Sequence, residues 1–314
     1  MNILILGGAG FIGTNLSIAL AKDPNNQITV ADRNSAFFRP LQRLNLQQIR
    51  YEETDLSEMA DFDRLVCGQE VVYHLVSTTV PSTSNRHISQ ELTANVVFSS
   101  NLFESCVRNH VKKVIFISSG GTVYGKEAHC PLREDTPTNP ISSYGVQKIT
   151  IEKLLYLYRY MYGLDYRIVR LANPYGPYQR PNGVLGAVTT FVYKAINGQE
   201  IVVYGDGTVV RDFIYIDDAI RAILTIADHE DLHRTFNVGS GQGISIRQLL
   251  EIIETALGQQ LRVRCEPGRP VDVPVNFLDV SRYESRYGAI CTVSLDEGIR
   301  KTAQFMRSDA FRLA

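Results

Sequence analysis

Gly7-Gly8-Ala9-Gly10-Phe11-Ile12-Gly13 follows the apolar run Ile3 to Leu6 directly and opens a helical pattern from Phe11 to Ala21. Each glycine in that spacing has a physical task. The first permits a tight turn, the second lets the backbone approach a pyrophosphate, and the third lets a helix pack on a strand. The start of the helix then offers unpaired N–H groups and the positive end of its dipole to phosphate. The spacing therefore predicts a strand, a phosphate-binding turn and a helix, the opening of a dinucleotide-binding fold.

Working outward, Gln27 to Ala31 reads as the next strand and ends at Asp32, 19 positions after Gly13. A carboxylate at about that distance hydrogen-bonds an adenosine ribose and repels a 2′-phosphate, which favours NAD over NADP. Arg33 beside it could soften the preference or be a solvated turn residue. Asp55, after the Tyr51–Glu53 strand, could meet the adenine or stand in an exposed loop. Val71 to Leu75, Lys113 to Ile117 and Tyr166 to Leu171 are further strands, and Glu91 to Asn109 carries helical periodicity. This alternation predicts an α/β, Rossmann-type doubly wound parallel sheet with helices on both faces. From Asn173 to Gly183 the texture changes to Pro, Gly and Tyr; a helix at about 186–197, short strands and a glycine-rich turn from Asn237 to Gly243 follow. The division expected is a cofactor domain over 1–174 plus about 209–238. About 175–208 and 239–314 then form a smaller α/β substrate-binding cap.

Composition narrows the partners. The 314 residues carry a formal net charge of −1 and no long basic run, so nucleic acid and membrane surfaces gain no electrostatic support. No stretch approaches the ~20 apolar residues of a membrane span. Five scattered cysteines without a C-x-x-C pair read as reduced thiols, and the amino terminus lacks the pattern of a secretory signal; both point to the cytoplasm.

The chemistry is expected at Ser142-Ser-Tyr144-Gly-Val-Gln-Lys148. Four residues apart on a helix, Tyr144 and Lys148 share one face. A free phenol titrates near ~10, too high for a base at neutral pH. An ammonium and a positive nicotinamide nearby favour the phenolate, which can take a proton from an alcohol.

Taken together, these residues resemble the extended short-chain dehydrogenase/reductases, specifically their NAD-dependent epimerase/dehydratase branch, closest in pattern to UDP-hexose 4-epimerases. Gly7 to Gly13 resembles its phosphate loop, Val72-Tyr-His-Leu75 its fourth strand, and Thr93-Ala-Asn95-Val its cofactor-contacting asparagine. Ser118-Ser-Gly-Gly-Thr-Val-Tyr-Gly125 resembles its catalytic strand end, and Arg170-Leu-Ala-Asn173-Pro-Tyr-Gly-Pro177 the link between cofactor and sugar pockets. Val203-Tyr204-Gly-Asp-Gly-Thr-Val-Val-Arg211-Asp-Phe and Arg269-Pro-Val-Asp272 resemble its nucleotide-diphosphate clamp. The resemblance implies NAD held by Gly7, Gly10, Phe11, Ile12, Gly13, Asp32, Arg33, Asp55, Leu56, Leu75, Asn95, Ser118, Tyr144, Lys148 and Pro174. It implies a UDP-sugar held by Asn173, Tyr204, Arg211, Arg269 and Asp272. It also implies a homodimer through a bundle of the helices at about 91–109 and 143–162. In those helices Tyr156, Tyr158 and Tyr160 are either contact aromatics or helix packing.

One departure matters. The family's catalytic Ser or Thr aligns with Gly120, so Ser119, Thr122 or a water over the glycine must supply the hydroxyl. Dehydratases of the branch carry an Asp-Glu pair at the positions of Gly121 and Thr122, and decarboxylases tend to carry Glu at the latter. Neither carboxylate is present, which leaves the 4-epimerase pattern: oxidation at C4, rotation of the keto-sugar, and reduction on the other face. A nucleotide-sugar ketoreductase or dehydrogenase, and a non-catalytic NAD-binding sensor or scaffold, are the alternatives. Asn276 stands where the branch gates sugar size, and Arg180 could meet a uronate. Hexose, N-acetylhexosamine and uronic acid all stay open.

Overall fold

The computed structural model describes residues 1–81, 84–126, 128–181, 186–268 and 273–312. The first half of the chain alternates as the sequence predicts. It runs β1 (Asn2–Leu6), α1 (Phe11–Leu20), β2 (Gln27–Asp32), α2 (Arg39–Gln42), β3 (Ile49–Glu53), α3 (Phe62–Val66) and β4 (Val71–His74). Then come α4 (Ile88–Leu92), a π-helical turn (Thr93–Val97), α5 (Phe98–Arg108), β5 (Lys113–Ser119), α6 (Ser143–Tyr162) and β6 (Asp165–Leu171). The second half contains β7 (Asn173–Tyr175), α7 (Ala187–Ile196), β8 (Ile201–Tyr204), β9 (Val210–Arg211), β10 (Phe213–Tyr215), α8 (Ile216–Asp228) and β11 (Thr235–Val238). It continues through β12 (Ile244–Ser245), α9 (Ile246–Leu257), β13 (Val263–Glu266), β14 (Val275–Asn276), α10 (Ser281–Tyr287), α11 (Leu295–Arg307) and α12 (Asp309–Arg312).

Seven strands form one parallel sheet in the order β11-β6-β5-β4-β1-β2-β3. The order reverses between β1 and β4, and such a switch point opens a ligand crevice at the carboxyl ends of the strands. The strands read as nearly unbroken apolar runs because both faces are covered. Ile3 and Ile5 face one core with Leu16 and Leu20 of α1 and Ile220 and Ile223 of α8. Leu4 and Leu6 face the other with Phe98 and Leu102 of α5 and Ile151 and Leu155 of α6.

Two readings of the second half change. Asn237 does not begin a turn: it lies inside β11, which pairs with β6 and extends the main sheet. Its amide is consumed internally, donating to the Leu132 carbonyl at 2.7 Å, so polarity here does not mean exposure. The run from Arg211 to Asp217, strand-like in the sequence, is not one strand. It breaks at Asp212 into β9, paired with β12 and β14, and β10, paired with β7. Asp212 is fully buried, and its carboxylate accepts from Ser240 N at 2.6 Å, Ser240 Oγ at 2.7 Å, Gly241 N at 3.2 Å and Leu278 N at 3.2 Å.

Candidate active site

The glycine turn does what its spacing predicts. Gly7 holds φ at +75°, where a side chain is strained, and its N–H donates to the Ala31 carbonyl at 2.9 Å. A Cβ on Gly13 would lie 2.5 Å from Gly8 Cα, so α1 is pressed onto the turn itself. Gly10 caps α1 without a side-chain hydrogen bond, and the first turn carries no acid. Its N–H groups are left for an anion. Phe11, Ile12 and Leu75 pack at the rim of the adjoining core. Asp32, buried at the end of β2, accepts from Ala9 N at 3.1 Å and Arg33 N at 2.8 Å, which fixes the carboxylate beside the turn. The Arg33 side chain is exposed; Asp55 is exposed too and holds Ser57 Oγ at 2.8 Å, while Leu56 packs on the second core. This cradle fits a dinucleotide: a backbone-lined turn, a helix start free of competing groups, and a carboxylate at ribose distance along the chain.

Asn95 sits in the π-helical turn, a local irregularity often found at functional sites. Its amide accepts from Thr78 N at 2.9 Å and donates to Thr78 Oγ1 at 2.8 Å and Gln147 Oε1 at 2.8 Å. It therefore ties the loop after β4 to α6, a positioning task that the motif alone did not reveal.

Helix α6 begins where Ser142, in extended conformation, accepts from Gly145 N at 3.2 Å. A Cβ on Gly145 would stand 2.9 Å from the Thr122 carbonyl, so the first turn of α6 lies against the strand-end loop. This brings together Tyr144 and Ser119, whose hydroxyl lies near the phenol. The two candidate hydroxyls differ: Thr122 Oγ1 is buried with no partner among the described residues. Lys148 is buried, donates to the Ile117 carbonyl at 2.9 Å, and lies 5.5 Å from the centre of the Tyr144 ring. Desolvation pushes the phenol up to about 12, with the nearby Ser119 hydroxyl pulling the other way. Burial brings the Lys148 ammonium down to about 8, opposed by the Glu152 carboxylate. In the protein alone the ammonium is thus turned to a carbonyl, and the phenol stays a proton donor until further positive charge arrives.

The Ser118 hydroxyl turns into the core and donates to Glu152 Oε1 at 2.5 Å. The Cβ side of Gly120 is closed. A Cβ on Gly120 would meet Leu278 Cδ1 at 2.6 Å and the Arg170 carbonyl at 3.1 Å, so Leu278 fills the space a side chain would take. Gly120→Ser is accordingly expected to destabilise the protein by about 1–3 kcal/mol without raising turnover. Leu278→Ala, costly alone, should cost less in that background; additive losses in denaturant melts would overturn the packing explanation.

The substrate candidates gather on the small sheets. Asn173 Nδ2 donates to the Asp212 carbonyl at 2.8 Å, and Pro174 follows it in β7. Arg211 Nη1 donates to the Val273 carbonyl at 2.6 Å, and in β14 the neighbour of Arg211 is Asn276. Asn276 is buried, donates to the Gly120 carbonyl at 3.3 Å, and leaves its Oδ1 without a partner among the described residues. That link ties the clamp segment to the catalytic strand end. Tyr204 is 38% exposed at the end of β8. Arg180 stacks on the Phe37 ring at 4.9 Å, beside the ribose strand. Arg269 and Asp272 lie outside the described residues.

Comparison with known proteins agrees with this geometry. The model of the NAD dependent epimerase/dehydratase family matches residues 3–239. The UDP-glucose 4-epimerase of Mycolicibacterium smegmatis is 33% identical over 311 residues, covering 98% of this chain and 99% of the relative. The structure of the UDP-glucose 4-epimerase of Thermotoga maritima with UDP-glucose superposes with a TM-score of 0.90 at 33% identity, covering 98% of this chain and 99% of that one. The UDP-glucuronic acid 4-epimerase of Bacillus cereus, solved with UDP-glucuronic acid and NAD, gives 0.88 at 27% identity, with 98% and 99% covered. NAD is the cofactor of this fold, and the chain belongs to the NAD dependent epimerase/dehydratase family.

Proposed function

We propose that this protein is a UDP-sugar 4-epimerase that works through a transient 4-keto sugar. The observation that carries the reading is the strand end after β5. Tyr144 and Ser119 come together there, and Gly121 and Thr122 bring no carboxylate with which to eliminate water. Gly7, Gly10, Phe11, Ile12, Gly13, Asp32, Leu75, Asn95 and Pro174 would hold NAD, and bound NAD supplies a reversible hydride acceptor at the sugar carbon. Tyr144 Oη takes the proton of the C4 hydroxyl and returns it to the new face. Ser119 donates a hydrogen bond to the phenolate as it forms, and Lys148 adds positive charge behind it. Thr122 Oγ1 and Asn276 Oδ1, buried with no partners among the described residues, would turn to sugar hydroxyls on binding. Arg211, with Arg269, would face the diphosphate, because a guanidinium matches its oxygens. Asn173, Tyr204 and Asp272 would complete the nucleotide contacts.

A homodimer is part of this proposal. Helix α6 exposes Val146 (43%), Leu157 (50%), Tyr160 (78%) and Met161 (57%), apolar side chains that a second copy would cover. Tyr158 by contrast is packed inside against Phe103, 5.6 Å between ring centres. The test is proton NMR of the purified protein with UDP-glucose, UDP-N-acetylglucosamine and UDP-glucuronic acid. At least one should invert at C4 with no accumulating NADH absorbance, and sedimentation of the same sample should give twice 35.2 kDa. Stoichiometric NADH production, or binding of NAD with no turnover on any sugar, would overturn the epimerase reading.

A further inference from the structure

Three consecutive residues at the end of β5 each meet one of three side chains spaced four apart on α6. The Ser119 hydroxyl lies near the Tyr144 phenol, close enough to favour its charged form. The Ile117 carbonyl accepts from Lys148 Nζ at 2.9 Å. Ser118 Oγ donates to Glu152 Oε1 at 2.5 Å. Residues 144, 148 and 152 fall on one stripe of the helix, so the two bonds and the Ser119 approach set the register of α6 against the strand end.

The third contact differs from the others in its anchorage. Glu152 is 5% exposed and takes Arg170 in two-toothed fashion, Nη2 to Oε2 at 2.7 Å and Nε to Oε1 at 3.1 Å. Arg170 in turn donates to Tyr124 Oη at 3.1 Å and lies 5.1 Å from the centre of that ring. Tyr124 Oη donates to Asn237 Oδ1 at 2.7 Å. The Ser118–Glu152 bond is therefore bolted through β6 to β11, whereas Lys148 makes a single bond to the strand end.

We propose that Glu152 is a positioning residue: braced by Arg170, it locks Ser118 so that Ile117 and Ser119 meet Lys148 and Tyr144, and it holds a fixed negative charge beneath Lys148. The surroundings of Lys148 leave that charge little competition. On α6 it faces Tyr144 and Glu152, and on β5 the Phe116 ring, 4.7 Å away, and the Ile117 carbonyl. On β4 it faces His74, which burial, with the charge of Lys148 second, brings down to about 3 and so keeps neutral. Arg170 on β6 is spent on Glu152, and burial pushes the Tyr124 phenol up to about 12. Of these groups only Glu152 is a carboxylate, and its field works against the desolvation of Lys148.

This inference rests on Tyr144 and Lys148 acting as proposed above, and its test separates the two. In NAD-loaded protein labelled with 13C at lysine Cε, NMR titration reads Lys148 directly, whatever the reaction. Glu152→Gln keeps the shape and the Ser118 bond; Lys148 should then lose its proton about one pH unit lower. The upper limb of the rate profile, where Lys148 becomes neutral, should move down by the same amount, with KM for the sugar within about twofold. Ser118→Ala keeps the charge; it should leave both pH positions unchanged and lower kcat by about threefold through loosened register. Glu152→Gln leaves Arg170 buried and unpaired, so Glu152→Gln/Arg170→Met supplies a variant with both charges removed. It should show a shift of the same sign. Folded, NAD-loaded variants with the Lys148 titration unmoved would overturn the proposal. A wild-type protein that titrates as described but converts no sugar would overturn the epimerase reading alone.

Discussion

Tyr144→Phe is expected to lower the rate of sugar interconversion by about 10²–10⁴-fold while NAD stays bound, because a positioned proton-transfer group contributes on that order. The substitution removes one oxygen. The ring stays in place beside Lys148, whose Nζ is held by the Ile117 carbonyl and not by the phenol. Ser119 stands beside the phenol at a partly exposed strand end, where water can take the place of the lost oxygen. Stability should therefore change little and chemistry greatly. Single-turnover NMR assays with measured NAD content decide the matter. A variant that retains more than a tenth of the wild-type rate would show that another group moves the proton.

Gly13→Val is expected to abolish NAD retention, the second large effect. A Cβ at Gly13 would fall 2.5 Å from Gly8 Cα and 2.6 Å from Gly8 O, and these are backbone atoms. Gly8 has nowhere to retreat, since a Cβ of its own would already lie 2.8 Å from Val30 Cγ1 and its N–H is tied to the Ala31 carbonyl at 3.2 Å. The helix must lift off the turn, and the N–H groups meant for phosphate lose their aim. Overpacking of about 3 kcal/mol in a chain of this size also predicts a melting temperature lower by about 5 °C. Bound NAD released by acid from purified variant and wild type gives the comparison. A Gly13→Val protein carrying its full complement of NAD would contradict this account of the turn.

Local pattern made much of this molecule readable. The glycine turn, the alternating cores of β1 and β5, and the Tyr144–Lys148 stripe depend on residues within a few positions of one another. What the sequence did not disclose depends on pairs far apart. Arg170 is a charge beside the apolar pair Ile168-Val169 in β6, a signal that a buried partner exists, yet nothing local names Glu152 or Tyr124 as that partner. Leu278 reaches Gly120 from 158 positions away, so the filling of that space is invisible to any motif. Asn237 misled because a polar residue before glycines reads as a turn, whereas its amide is spent on Leu132, Asp279 and Tyr124. Polarity in a short edge strand carries little information until its partners are known.

The carboxylate of Asp212 gathers backbone donors from Ser240, Gly241 and Leu278 into one buried point between β9 and β10. Stretches separated by tens of residues thus share a single solvent-free anion, which costs far more to expose half-paired than to keep whole. Parting any one of these segments leaves a buried carboxylate short of donors, so Asp212 works as a rivet through the chain crossings it joins.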